Sequence, residues 1–141
     1  MKKLIAALAV LACGAGYAAD LAPPELTIGK AAPTQGALLL QRGAGNVFAA
    51  EQAGRRNALA GAQDGLQNRA SVEQFGSDNR ASVQQEGQDN EAAIRQHGIG
   101  NRAEIDQIGN LNTARIDQFG QQGTARITQY GSGKTATLIQ H

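Results

Sequence analysis

The chain has 141 residues, with 18 glycines, no tryptophan, two tyrosines, three phenylalanines and a formal charge of +1. So few large apolar side chains exclude an oily core, because burial in an isolated monomer would not readily offset the entropy of ordering its backbone. Near-neutral charge, with no basic block and no acidic tail, gives nucleic acid no footing.

In chain order, Met1 to Ala19 reads as a secretory signal peptide: Lys2 and Lys3, an apolar run from Leu4 to Ala12, then small residues up to Ala18 and Ala19. The run is too short to span a bilayer, and cleavage is expected after Ala18 or Ala19. Its removal takes Lys2 and Lys3 away and leaves a charge of about −1. Cys13, the only cysteine, is lost with it, so the mature chain has no thiol chemistry. A bacterial lipidation box ending at Cys13 is the weaker alternative, because Leu11 fits such a box poorly. Asp20 to Thr34 carries Pro23, Pro24, Gly29 and Pro33 and no repeat. Proline interrupts both helix and sheet, so this stretch is expected to be a linker or a secretion tag.

From Gln35 to His141 one 11-residue phrase is written nine times and then cut short, without insertion or deletion. Units begin at Gln35, Asn46, Asn57, Asn68, Asn79, Asn90, Asn101, Asn112, Gly123 and Lys134. Place seven is always glutamine: Gln41, Gln52, Gln63, Gln74, Gln85, Gln96, Gln107, Gln118, Gln129 and Gln140. Place nine is always glycine: Gly43, Gly54, Gly65, Gly76, Gly87, Gly98, Gly109, Gly120 and Gly131. Such strictness means that equivalent places are stacked on one another.

Within a unit the odd places read Asn-x-Ala-x-Ile/Val-x-Gln-x-Gly. A period of two puts them on one face of a strand. The apolar members of that face are Ala70 and Val72, Ala81 and Val83, Ala92 and Ile94, Ala103 and Ile105, Ala114 and Ile116, and Ala125 and Ile127. Even places hold charges such as Arg102, Glu104 and Asp106 and belong to solvent. Each unit is therefore expected to give a strand of about seven residues. Gly-x-x-Asn then reverses the chain, glycine accepting positive φ and asparagine both tolerating it and bonding nearby backbone. A helix is rejected: glycine every three turns costs about 1 kcal/mol each, and alternating apolar places match no helical face.

Two strand-turn units make a 22-residue coil, and exposed charges support that step: Glu73, Arg95 and Asp117 alternate in sign, Arg69 precedes Glu91, and Glu104 precedes Arg126. Phe75, His97, Phe119 and His141 form one column at the same spacing, whereas Arg80 before Arg102 and Asp64 before Glu86 run against the trend. The expected fold is all-β, a β-solenoid or cross-β stack of five coils: 35–56, 57–78, 79–100, 101–122 and 123–141. Buried amides are costly unless bonded. Stacking answers this, because each glutamine, and each asparagine of the column Asn46, Asn57, Asn68, Asn79, Asn90, Asn101 and Asn112, can donate to its equivalent in the next coil. Units 46–56 and 57–67 are degenerate, with Phe48 and Leu59 in place of alanine and Ala50 and Gly61 in place of Ile or Val. The regular units from Asn68 to Gly133 are expected to be the better template. The last unit runs through Thr135, Ala136, Leu138 and Gln140 with no capping helix, so an open sheet edge and end-to-end growth into a fibre are expected.

The phrase from Gln96 through Gly98, Asn101 and Ala103 to Gln107 resembles the repeat of curlins, the subunits of bacterial curli amyloid fibres. Asn starts and Gln-x-Gly in every unit, together with Ile127 to Gly131 and Lys134 to Ala136, look most like the minor, nucleating curlin rather than the major fibre subunit, which is the alternative. The resemblance implies functional amyloid, cell adhesion and biofilm matrix. It also implies export through the periplasm and an outer-membrane secretion pore with accessory factors, and templating of a major subunit at the cell surface. The linker at 20–34 would then be the secretion tag. The minor curlin usually ends in a basic segment linked to surface attachment, and no such segment stands before His141.

No cofactor, metal or small-molecule substrate is expected. His97 and His141 sit at outward places as ladder residues, and Asp106 and Asp117 have no convergent partner for acid-base work. The glycine spacing fits neither a phosphate loop nor a calcium solenoid. A monomeric solenoid binding ice or carbohydrate is a further alternative, but only Thr113, Thr124 and Thr135 align, among mixed ranks of charge.

Overall fold

The structure is a computed structural model that describes residues 35–141 and the two-residue strand Leu11–Ala12. The signal peptide at 1–19, apart from that strand, and the linker at 20–34 lie outside the described residues.

Period-two alternation gives one strand per unit. After β1 (Leu11–Ala12) come β2 (Gly36–Ala44), β3 (Val47–Arg55), β4 (Ala58–Leu66), β5 (Arg69–Ser77) and β6 (Arg80–Gln88). Then follow β7 (Glu91–Ile99), β8 (Arg102–Asn110), β9 (Thr113–Gln121), β10 (Thr124–Ser132) and β11 (Thr135–Gln140). Strands β2 to β10 are each nine residues long, not about seven, because pairing continues through the place-nine glycine. Consecutive strands lie in opposite sheets, one ordered β10-β8-β6-β4-β2 and the other β1-β3-β5-β7-β9-β11. Every repeat strand pairs in parallel with the strand one coil on, at a constant offset of 22: Ile105 faces Ile127, and Gln85 faces Gln107. The chain is thus a β-solenoid of five coils, roughly 24 Å tall at the usual strand spacing. β1 alone is antiparallel, Leu11 opposite Phe48 and Ala12 opposite Val47 on the outer edge of β3.

The turns differ from expectation. Glycine at place nine has positive φ, but the unit-opening asparagine does not; the second left-handed residue is the one before it. Arg56, Gln67, Asp78, Asp89, Leu111 and Gln122 take φ of 52° to 60° there. Such a conformation costs about 1–2 kcal/mol for an L-residue. It is held by bonds between coils, such as Leu111 N–H to the carbonyl of Gln88 at 2.9 Å and Gln122 N–H to that of Ile99 at 2.8 Å. The sequence trace of this was slight: Gly45, Gly100 and Gly133 occupy place eleven in three units.

Between the sheets lies one apolar core, formed by Ala70, Val72, Ala81, Val83, Ala92, Ile94, Ala103, Ile105, Ala114, Ile116, Ala125 and Ile127 together with Phe48 and Leu59. The two irregular units are compensated rather than degenerate. A Cβ placed on Gly61 would fall on the ring of Phe48, 2.7 Å from Cζ, and 3.0 Å from Leu39 Cδ1. The missing side chain at place five makes room for the large one at place three.

A buried isoleucine such as Ile105 stabilises by about 2 kcal/mol, whereas ordering its unit costs about 1–2 kcal/mol per residue. Apolar burial alone cannot hold the coil, which turns attention to the polar interior.

Candidate assembly site: the amide ladders and the two end rungs

Glutamine at place seven points inward, and from Gln63 to Gln107 its carboxamide is fully used. In one sheet Gln41 Nε2 donates to Gln63 Oε1 (2.6 Å), Gln63 to Gln85 (2.7 Å), Gln85 to Gln107 (2.9 Å) and Gln107 to Gln129 (2.8 Å). In the other, Gln52 donates to Gln74 (2.6 Å), Gln74 to Gln96 (2.9 Å), Gln96 to Gln118 (2.9 Å) and Gln118 to Gln140 (3.0 Å). The remaining amide hydrogen crosses to the facing sheet, as from Gln107 to the carbonyl of Glu91 (3.0 Å) and from Gln96 to that of Arg80 (3.0 Å). One side chain therefore ties its coil to the next and its sheet to the other, which answers the cost of burying an amide.

Asparagine does something different from the expected amide-to-amide ladder. Its Nδ2 bonds backbone carbonyls at the corner: Asn101 reaches His97 (3.3 Å) and Gly120 (3.1 Å), and Asn79 reaches Phe75 (3.2 Å) and Gly98 (3.1 Å). Its Oδ1 accepts the backbone N–H of the unit one coil on, as Asn46 does from Asn68, Asn57 from Asn79 and Asn90 from Asn112. Direct contact between side-chain amides occurs only from Asn90 to Asn68 and from Asn112 to Asn90, both at 3.1 Å. The column is a staple for the turns, with the ladder running through main chain.

Beside these amides the place-nine glycines lie almost flat on one another. A Cβ on Gly87 would run into the carbonyl oxygen of Gly109, and one on Gly109 into that of Gly131. Above Gly131 only the Lys134 side chain comes near, at 3.7 Å.

The glutamine-to-glutamine bonds share a direction: each glutamine donates to the one 22 residues on, toward the C-terminal end. The oxygen at the other end is consequently left over. Gln41 Oε1 is the only buried side-chain polar atom without a partner among the described residues. At the C-terminal end Gln129 gives one amide hydrogen to the Thr113 carbonyl (3.1 Å), and Gln140 accepts from Gln118, with no coil beyond either among the described residues.

The outer faces carry the charges. Arg95 pairs with Glu73 (3.0 Å), and Arg126 with Glu104 (3.7 Å) and Asp106 (2.8 Å). The expected link from Arg95 to Asp117 is replaced by Arg115 on the same strand, 2.7 Å from Asp117, and Arg56 meets Asp78 at 2.7 Å. Hydrogen bonds to these carboxylates, and then their charge, raise the pKa of Arg56, Arg115 and Arg126. Arg69 lies beside Glu91 in register without an ion pair, and Arg80 stacks on Arg102. The ring column is continuous: Phe75 to His97 4.9 Å, His97 to Phe119 5.4 Å and Phe119 to His141 5.7 Å between centroids. Among the described residues no three His, Cys, Asp or Glu side chains gather to hold a metal.

Parallel coils of constant length, tied by inward amides and bare at their last rung, define a repetitive β-solenoid. A family model described as the curlin associated repeat matches residues 62–87, 87–120 and 112–141, more than half of the chain. The chain belongs to the curlin family, whose members are subunits of extracellular curli fibres. Comparison with curated proteins and with solved structures returns no match.

Proposed function

We propose that this curli subunit is the minor one, secreted to the cell surface, where it starts polymerisation of a major repeat subunit into fibres for adhesion and biofilm matrix. The observation that carries the reading is the complementarity of the two ends, with an unpartnered amide oxygen at Gln41 and amide donors at Gln129 and Gln140. A contact between unlike ends does not close on itself, so repetition gives a filament.

Nucleation is favoured because the slow step of fibre growth is setting the first strands in register, which must be done before any ladder rewards it. A chain that lays down successive identical rungs by itself removes that step for its partner. The major-subunit reading rests on the same observation, since matched ends also let the chain add to itself. Passage through an outer-membrane pore with accessory factors, guided by the linker, belongs to this proposal.

The test adds trace amounts of the mature chain to a purified major repeat subunit and follows thioflavin fluorescence. A shortened lag is expected. An unchanged lag, with rapid fibre formation by the chain alone, would assign it to the major class. A chain that remains monomeric under both conditions would sink the fibre reading altogether.

A further inference from the structure

Resting on the fibre-subunit reading, we infer that growth is polar and that the incoming repeat chain docks on the C-terminal rung, β10 and β11, not on β2 and β3. The occupant is a chain with the same phrase: small residue, branched aliphatic, glutamine and glycine at alternate inward places.

Two observations point there. First, the C-terminal rung lies within the family repeat and the N-terminal one does not. Ala125, Ile127, Gln129 and Gly131 fall within the residues matched by the curlin repeat, whereas β2 and β3 precede residue 62; β2 keeps the order in Ala37 and Leu39, but β3 inverts it in Phe48 and Ala50. A regular chain finds its own side-chain sizes on β10 and the inverted order on β3. Second, the C-terminal rung holds groups that one more regular coil would complete. Ala136 and Leu138 pack on the core yet remain half-buried, and no described coil lies over the amides of Gln129 and Gln140. Leu39 and Ala50 are half-buried at the other end too, so the match of side-chain sizes is what selects between the ends.

Backbone direction makes the ends separable by mutation. The place-two N–H of each strand donates to the place-one carbonyl one coil on, as from Arg102 to Gly123 and from Thr113 to Lys134, both at 2.7 Å. Residues of a strand alternate in which neighbour they bond, so the N–H groups of Arg126 and Thr128 face off the C-terminal end. By the same alternation those of Ala37 and Leu39 face off the N-terminal end. Proline at either edge removes no intrachain bond but blocks the approach of another strand.

Wild-type chain, Thr128→Pro and Ala37→Pro are each folded and added in trace to a purified major repeat subunit. Thr128→Pro is expected to lose lag-shortening while Ala37→Pro retains it. The reverse result, retention by both, or loss by both would each overturn the assignment. A second variant guards against misfolding of the proline chain. Gln129→Glu keeps the acceptor for Gln107 but cannot donate when ionised, so its seeding should be absent at neutral pH. It should return as the pH falls and the carboxyl takes up its proton, a step that burial at this place moves above the ordinary carboxyl range; pH-independent seeding would contradict the role of that amide. Failure of the wild-type chain itself to shorten the lag would count against the proposed function, a distinct outcome.

Discussion

The first coils and the later ones share a backbone but not a core. From β5 to β10 the inward places read small at three and branched at five; in β3 and β4 the order inverts, with Phe48 before Ala50 and Leu59 before Gly61. Both regions keep the same offset of 22 residues and the same glutamine bonds. The apolar places are therefore negotiable so long as volume is conserved across the interior, whereas glycine at nine and glutamine at seven are not.

The severest way to break this comparison is a methyl group on the glycine column. Gly54→Ala and Gly98→Ala should be equally damaging despite their different surroundings, since each Cβ strikes the carbonyl of the glycine above, Gly76 or Gly120. Loss of the cooperative denaturant transition is expected for both. Gly131→Ala, with only Lys134 nearby, should show backbone strain of about 1–2 kcal/mol.

Next comes the inverted core. Phe48→Ala should destabilise by about 3–5 kcal/mol, and Gly61→Val alone by about 1–3 kcal/mol through overpacking. Together they exchange the ring of Phe48 for a side chain in the space it filled at Gly61, and the double variant should lie well above the sum of the two in a denaturant midpoint series. Additive losses would mean that the ring and the glycine are not coupled.

Smaller effects are expected along the amide ladder. Gln107→Ala leaves Gln85 without an acceptor and Gln129 without a donor, a penalty of about 1–3 kcal/mol for each orphaned group. Gln41→Ala removes one bond at an end already lacking a partner, so its cost should be smaller. Least of all, Arg102→Ala at the exposed rank should stay within about 0.5 kcal/mol. By the same logic alanine at Gln107 and Gln118 should slow templating more than alanine at Arg102 and Arg115.

Coil length, strand faces, the glutamine ladder and the ring column were legible in the sequence because each follows from strict spacing and a period of two. Three features were not. The left-handed residue at place eleven has no compositional mark in Arg56, Gln67 or Leu111, since bonds to the neighbouring coil enforce it. The asparagine staples depend on corner geometry that Gly-x-x-Asn does not specify. The fit of Phe48 over Gly61 joins facing sheets, a pairing that spacing along one chain cannot reveal.

The most direct measurement is solid-state NMR on fibres with side-chain nitrogen labelled at Gln85 and carboxamide carbon labelled at Gln107. A through-space correlation between them, with slow exchange of the amide protons, is expected from a 2.9 Å bond one coil apart. Rapid exchange with water, or a correlation from Gln85 to Gln96 in its place, would contradict the 22-residue stacking on which the fold and its ends depend.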